Sequence, residues 1–321
     1  MVDLPHEARI RWLLVRLARL HEGGAQPVAG LVQPDQRFFP DQVAGDPKGL
    51  KRLVRRVMKH AGLTDVPLQV QVSMAEEASG GGSCSSGACS VPVPKASPSR
   101  RLVEHGDGYV LTLQQGELRH PVVLTTVLAR TAADIFLREA ELYDRFDPAE
   151  RDLAVDLGAV MLGFGVLSAN GSYLYSKSCG GVNVTSVTTL PVDEITFALA
   201  VFGALHGVSK GEGRRHLETT PRAHFDLAVT WTESNKNVIA LVDSDRPAIE
   251  AGSYSLNEAR GLLSRLFGIG RAKSATAPAD AELEAVAADL QKTKKRTPAD
   301  EKRAARMASL REMVDESLDS A

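Results

Sequence analysis

The chain has 321 residues, 43% of them apolar and 24% charged, an ordinary globular usage that excludes a wholly disordered or fibrous protein. Lysine and arginine number 38 against 40 acidic residues, so the net charge of -2 gives no global attraction to nucleic acid or anionic membranes, and any such attraction has to be local. Three cysteines, Cys84, Cys89 and Cys179, are too few for the disulfide framework of a small secreted module and fit a reducing, cytoplasmic compartment.

Asp3, Glu7, Arg9 and Arg11 crowd the start, so no signal peptide is expected there. Ile10, Leu13, Leu14, Leu17 and Leu20 recur at helical spacing, which predicts an amphipathic helix over 5–21 that Gly23 and Gly24 stop. Asp46 as cap and Pro47 in the first turn announce a second helix, closed by Gly62, with Leu50, Leu53, Val54, Val57 and Met58 on one face. Its other face carries Lys48, Lys51, Arg52, Arg55, Arg56 and Lys59, and the first 60 residues hold 11 basic against 6 acidic side chains. That face is either a solvated surface or the seat of an anionic partner.

Leu68, Val70 and Val72 alternate with polar residues, as do Tyr109, Leu111 and Leu113, predicting two half-buried strands. Between them, residues 78–99 are mostly Gly, Ser, Ala, Cys and Pro, a composition for a flexible loop. No Lys-Ser/Thr ending follows Gly80 to Gly82, so this is not a phosphate loop, and Cys84 and Cys89 lack the second ligand pair that structural zinc needs. They are free thiols or a labile disulfide.

From His120 to about Asn235 the pattern is one of packed helices. Pro121 starts one that runs to about Glu139, and Asp147, Pro148 and Glu150 read as cap and first turn of the next, which continues through Leu167. Gly158, Gly163 and Gly165 cost helix propensity, so their clustering points to close helix contact. Leu157 to Ser176 are twenty uncharged residues, but Ser168, Asn170, Gly171 and Ser172 break the second half, so a buried helix and a polar loop are expected rather than a membrane span. Further helices are predicted over 192–206, from Pro221 to near Thr232, and from a capping box at Ser255 and Glu258 to Gly268. Residues 270–297 read as a charged, Ala-rich linker, and Thr297, Pro298 and Asp300 start a last helix with a narrow stripe of Met307, Leu310, Met313, Val314 and Leu318. The expected organisation is an N-terminal pair of helices over 1–65, a body over 66–270, and a linker with a helical tail over 271–321.

No two of the eight His residues lie four apart, and no Gly-x-Ser-x-Gly elbow, dinucleotide fingerprint or Walker lysine occurs. Cys179, in Ser178-Cys179-Gly180-Gly181, has no evident base, so its glycines mark a turn. The informative stretch is Val127 to Leu137, followed by Asp152 to Gly158 and then Gly163-Phe-Gly-Val-Leu-Ser-Ala-Asn170.

Across about 108–235 the chain resembles a poorly characterised group of bacterial zincin-type metallopeptidase-like proteins. Their active-site helix reads Leu-Ala-His-Glu-x-x-His, and their next helix supplies acidic residues before a Gly-x-Gly and a Thr/Ser-Ala-Asn stretch. The resemblance places the first zinc His at Arg130, the general-base Glu at Thr131 and the second zinc His at Asp134, with the following acidic positions at Asp152 and Asp156 and the preceding strand at Tyr109 to Gln114. All three catalytic positions are altered. Loss of both His residues and the Glu removes the metal and the base together, so ordinary hydrolysis is expected to be lost and no metal or other cofactor is expected. Arg130 carries a fixed cation where the ion would stand, and it is expected to pair with Asp134 and with at least one of Asp152 and Asp156.

These features predict a mostly helical α+β protein with a small sheet, a zincin-like body and a C-terminal helical tail. The expected function is that of a catalytically inactive pseudoenzyme serving protein interaction. One alternative is a hydrolase in which Asp134, Asp152 and Asp156 recruit a hard ion such as Mg²⁺. Another is an anion or nucleic-acid binder using the basic face over 48–59, against which the low aromatic content of 5% counts, because nothing interleaves to stack bases.

Overall fold

The computed structural model describes residues 2–40, 47–73, 101–178 and 181–258. The chain divides into two compact units, Met1–Leu266 and Phe267–Ala321, and the second lies outside the described residues. So do Cys84, Cys89, Cys179, the Gly/Ser-rich loop over 78–99, the helix expected over 298–318 and most of the one expected from Ser255 to Gly268, of which residues 255–258 are described and are not helical.

The fold is a mostly helical α+β arrangement. Helix α1 (Glu7–Glu22) buries Ile10, Leu13, Leu14, Leu17 and Leu20, and ends at Gly23. Helix α2 (Pro47–His60) buries Leu50, Leu53, Val54, Val57 and Met58, as its spacing requires. Strands β1 (Leu68–Ser73), β2 (Leu102–His105) and β3 (Gly108–Gln114) form a mixed sheet in the order β1-β3-β2, with β1 parallel to β3 and β2 antiparallel to it. The register pairs Leu68 with Tyr109, Val70 with Leu111 and Val72 with Leu113, so the two alternating segments read from sequence lie side by side.

Helix α3 (Pro121–Glu139) follows a 3-10 turn and is buried along most of its length. The helix expected over 147–167 begins later and is broken. Glu150 stands at its N-cap but makes no side-chain cap bond; its carboxylate accepts from Trp12 Nε1 at 3.0 Å and from Arg16 at 2.8 and 2.9 Å, which docks α1. Helix α4 (Arg151–Ala159) then gives way to a π-helical turn at Val160–Phe164 and to helix α5 (Gly165–Gly171). The break is at Gly163, whose φ is +94° and whose Cβ position lies 2.2 Å from the Gly30 carbonyl oxygen. Only glycine permits both the dihedral and the approach. The Gly163 carbonyl accepts from Val32 N–H at 2.9 Å, so residues 30–32 lie directly over the break. A methyl at Gly158 would stand 3.5 Å from the Ala133 methyl of α3, and one at Gly165 would press to 2.6 Å on the Leu199 Cδ1, so α4 and α5 pack closely there.

Arg151–Gly171 is the one helical stretch among the described residues long and apolar enough to cross a membrane, and 89% of its apolar window is buried inside the fold. Beside it runs helix α6 (Val192–Leu205), apolar on nearly every side and buried from Glu194 to Gly203. A hairpin that the composition did not suggest, β4 (Leu174–Ser178) and β5 (Gly181–Thr185), precedes it. Helices α7 (Lys210–Arg214), α8 (Thr219–Ser234), α9 (Lys236–Ser244) and α10 (Arg246–Glu250) complete the unit. Helix α8 starts before Pro221 rather than at it, and α9 and α10 are additional to the expected elements.

Candidate functional site

The residues singled out on α3 and α4 point inward. Arg130 is 1% exposed, Thr131 2%, and Asp134 and Asp156 are fully buried. Arg130 reaches across to α4 and to the segment before α6: its NH1 lies 3.1 Å from Asp156 Oδ1 and donates to the Val187 carbonyl, and its NH2 donates to Thr189 Oγ1 at 3.0 Å. The Asp156 contact is one of charge, because Oδ1 makes no aligned hydrogen bond. Asp156 spends Oδ2 on the backbone, accepting from Thr189 N–H at 2.7 Å and Leu190 N–H at 2.8 Å. Arg130 and Asp156 thus bind the same loop from opposite polarity, one through a carbonyl and one through two amides.

Burial raises the Asp156 carboxyl from 3.8 to about 6, against the opposing pull of Arg130 and of the Leu190 and Thr189 amides. Asp134 is likewise raised by burial. Its partner is not Arg130, as the four-residue spacing also allowed, but Arg138 on the next turn, whose Nε donates to Asp134 Oδ1 at 3.0 Å. The reason is rotational: Arg130 is turned toward α4 and the Val187 to Leu190 segment, while Arg138 lies where it bridges Asp134 to Glu104 and stacks 4.3 Å over the Tyr143 ring. Asp152 is half-buried at the start of α4, and its charge raises the carboxyls of both Asp134 and Asp156. Thr131 turns its hydroxyl back to the Val127 carbonyl at 2.9 Å.

The three aspartates therefore do not converge as a hard-ion cage. Asp134 faces Arg138, Asp156 faces a loop, and among the described residues no group of three or more His, Cys, Asp or Glu side chains is placed to hold a metal ion. Sizeable cavities lie elsewhere, beside α6 and α8, beside the first turn of α3, between α2 and β1, and beside Arg19 and Glu250, and these are not lined by Arg130, Thr131, Asp134, Asp152 or Asp156. One of about 590 Å³, beside the first turn of α3, carries a pair that sequence reasoning missed: His216 Nε2 stands 3.5 Å from Asp35 Oδ2. Asn170 holds that rim in place, donating to the His216 carbonyl at 2.8 Å and accepting from Glu218 N–H at 2.9 Å.

The basic residues of α2 lie on its outer side. Lys48, Lys51, Arg52, Arg55 and Lys59 are exposed and Arg56 is half-buried. Lys51 and Arg55 line a groove of about 510 Å³ between α2 and β1, floored by Leu50, Val54, Val70 and Leu118. No family model, curated protein or solved structure matches this chain.

Proposed function

We propose that this protein is a non-catalytic interaction module whose body descends from a zincin-like metallopeptidase. The supporting observation is the commitment of Arg130: at the position that the resemblance assigns to the first zinc ligand stands a buried guanidinium, spent on Asp156, Val187 and Thr189. A cation fixed there opposes a metal ion, and a threonine bonded to its own helix replaces the general base. The remaining polar groups serve to hold the Val187 to Leu190 segment against α3 and α4. A zincin-type peptidase needs an open coordination position beside its ligands, whereas the side chains here are closed off among packed helices.

Elemental analysis of the purified full chain tests this. The expected result is no zinc at stoichiometric level, and about one tightly held equivalent would overturn it. The combined variant Arg130→His, Thr131→Glu, Asp134→His tests the ancestry itself. Zinc uptake by that variant, absent from the wild type, is expected if α3 retains the geometry of a former active-site helix.

A further inference from the structure

The sheet has two outer edges, and they are built differently. Edge strand β2 has four residues and carries an exposed Glu104, the kind of charge that discourages another strand from pairing. Edge strand β1, Leu-Gln-Val-Gln-Val-Ser, holds no charge, proline or bulge, and pairs with β3 in unbroken register over its whole length. No strand of the described residues pairs with the other side of Leu68 to Val72. Val72 is 41% exposed at that edge. Beside it runs the groove lined by Lys51 and Arg55, for which no ion pair is found among the described residues. Helix α2 contains no acidic residue to neutralise them.

We infer that this edge is a docking site for an extended acidic peptide of a partner protein, which adds as a strand to β1 with its carboxylates against Lys51 and Arg55. This names the partner chemistry of the interaction module proposed above and rests on that reading. Main-chain hydrogen bonds to an open edge give affinity without regard to sequence, and the neighbouring side chains then select the ligand. Here the selection is by charge over an apolar floor: Val54, Val70 and Leu118 take apolar side chains, and the two cations at the helix edge take Glu or Asp. A segment of about five residues, about 17 Å in extended form, matches Leu68 to Val72 of β1. An uncharged edge strand is otherwise an aggregation hazard, which a dedicated ligand removes.

The probe is a fluorescein-labelled decapeptide of alternating Glu and Val, with fluorescence anisotropy of the full chain as readout. Saturable binding is expected, weakened about ten-fold or more in Lys51→Glu with Arg55→Glu and on raising salt from about 50 to about 500 mM. A decapeptide of alternating Lys and Val is expected not to bind. Alternate N-methylation of the Glu-Val peptide keeps its charge and removes half its main-chain donors, so its binding by wild-type protein should fall at least as far. Equal binding of the N-methylated peptide, or equal binding of a single-stranded oligouridylate, would mean an undirected anion surface and would overturn the strand-addition proposal. So would failure of the Glu-Val peptide to bind. Because the peptide experiments use wild-type protein as well as the variant, they decide the matter even if the double substitution disturbs α2. Failure here with no zinc in the protein removes this surface alone, whereas stoichiometric zinc would remove the non-catalytic reading.

Discussion

Asp156 shows what a single buried carboxylate does when its partners are divided between a guanidinium and two amides. Its carboxyl is raised from 3.8 to about 6 by burial. Between those values the folded protein holds a proton that the unfolded chain has released, so stability from this residue is full at the acid end and is lost as pH rises through about 6. Asp134, raised by the same cause, acts in the same direction. The midpoint of thermal unfolding is therefore expected to fall as pH rises across this window. Asp156→Asn should lower the midpoint throughout, because Arg130 loses its counter-charge, yet flatten the slope. An unchanged slope in that variant would assign the pH dependence elsewhere. Part of this network is legible in sequence and part is not. The spacing of Arg130, Asp134 and Arg138 permits two pairings on one helix, and helical periodicity alone does not choose between them. The choice is made by the Val187 to Leu190 segment, which lies far along the chain and has no pattern that marks it as the partner of Arg130.

At the scale of elements, the long amphipathic helices and the alternating strands β1 and β3 are readable because their burial follows period 3.6 or period 2. The elements that escape are those made by context. Strands β4 and β5 come from a polar, Gly-containing stretch, and α9 is a nine-residue segment that could equally be a buried strand by pattern. The break between α4 and α5 belongs to the same class. Gly163 looks like a propensity cost in the sequence, but in the structure its missing side chain lets residues 30–32 lie against the turn between α4 and α5, with Val32 N–H bonded to its carbonyl. Gly163→Ala meets both a positive φ and the Gly30 carbonyl, and should destabilise the protein by about 3 kcal/mol. Gly158→Ala, at a position where the new methyl finds Ala133 at ordinary contact distance, should cost far less. Urea unfolding of the two variants side by side measures the difference, and equal effects would show that the break is not constrained by the overlying loop.

At the scale of the whole molecule, the described unit closes on itself through its ends. Helix α1 is clamped to α9 and α10 by Arg19 to Glu250 at 2.7 Å, Glu22 to Arg246 at 2.5 Å and His21 to Asp243 at 3.0 Å. Beneath these pairs, Val238, Ile239, Val242 and Ile249 are buried in the same core as Leu13, Leu14, Leu17 and Leu20. The ion pairs are partly exposed and contribute little each, so the apolar contact is what holds the ends together. Asn235 completes the closure: fully buried, it donates to the Asn257 carbonyl at 3.0 Å and accepts from Asn257 N–H at 2.7 Å, pinning the chain after α10 to the start of α9. A chain ended at Leu266, the boundary of the first unit, keeps all of these contacts and should unfold in one cooperative thermal transition near that of the full protein. A chain ended at Asn235 loses α9 and α10, bares the apolar face of α1 and leaves the Asn235 amide without Asn257, and should aggregate or melt without cooperativity. Calorimetry on the two truncations separates the cases. Loss of the transition in the longer one would make residues after Leu266 part of the folding unit, and its survival in the shorter one would mean that α1 is held by α4 and α6 alone.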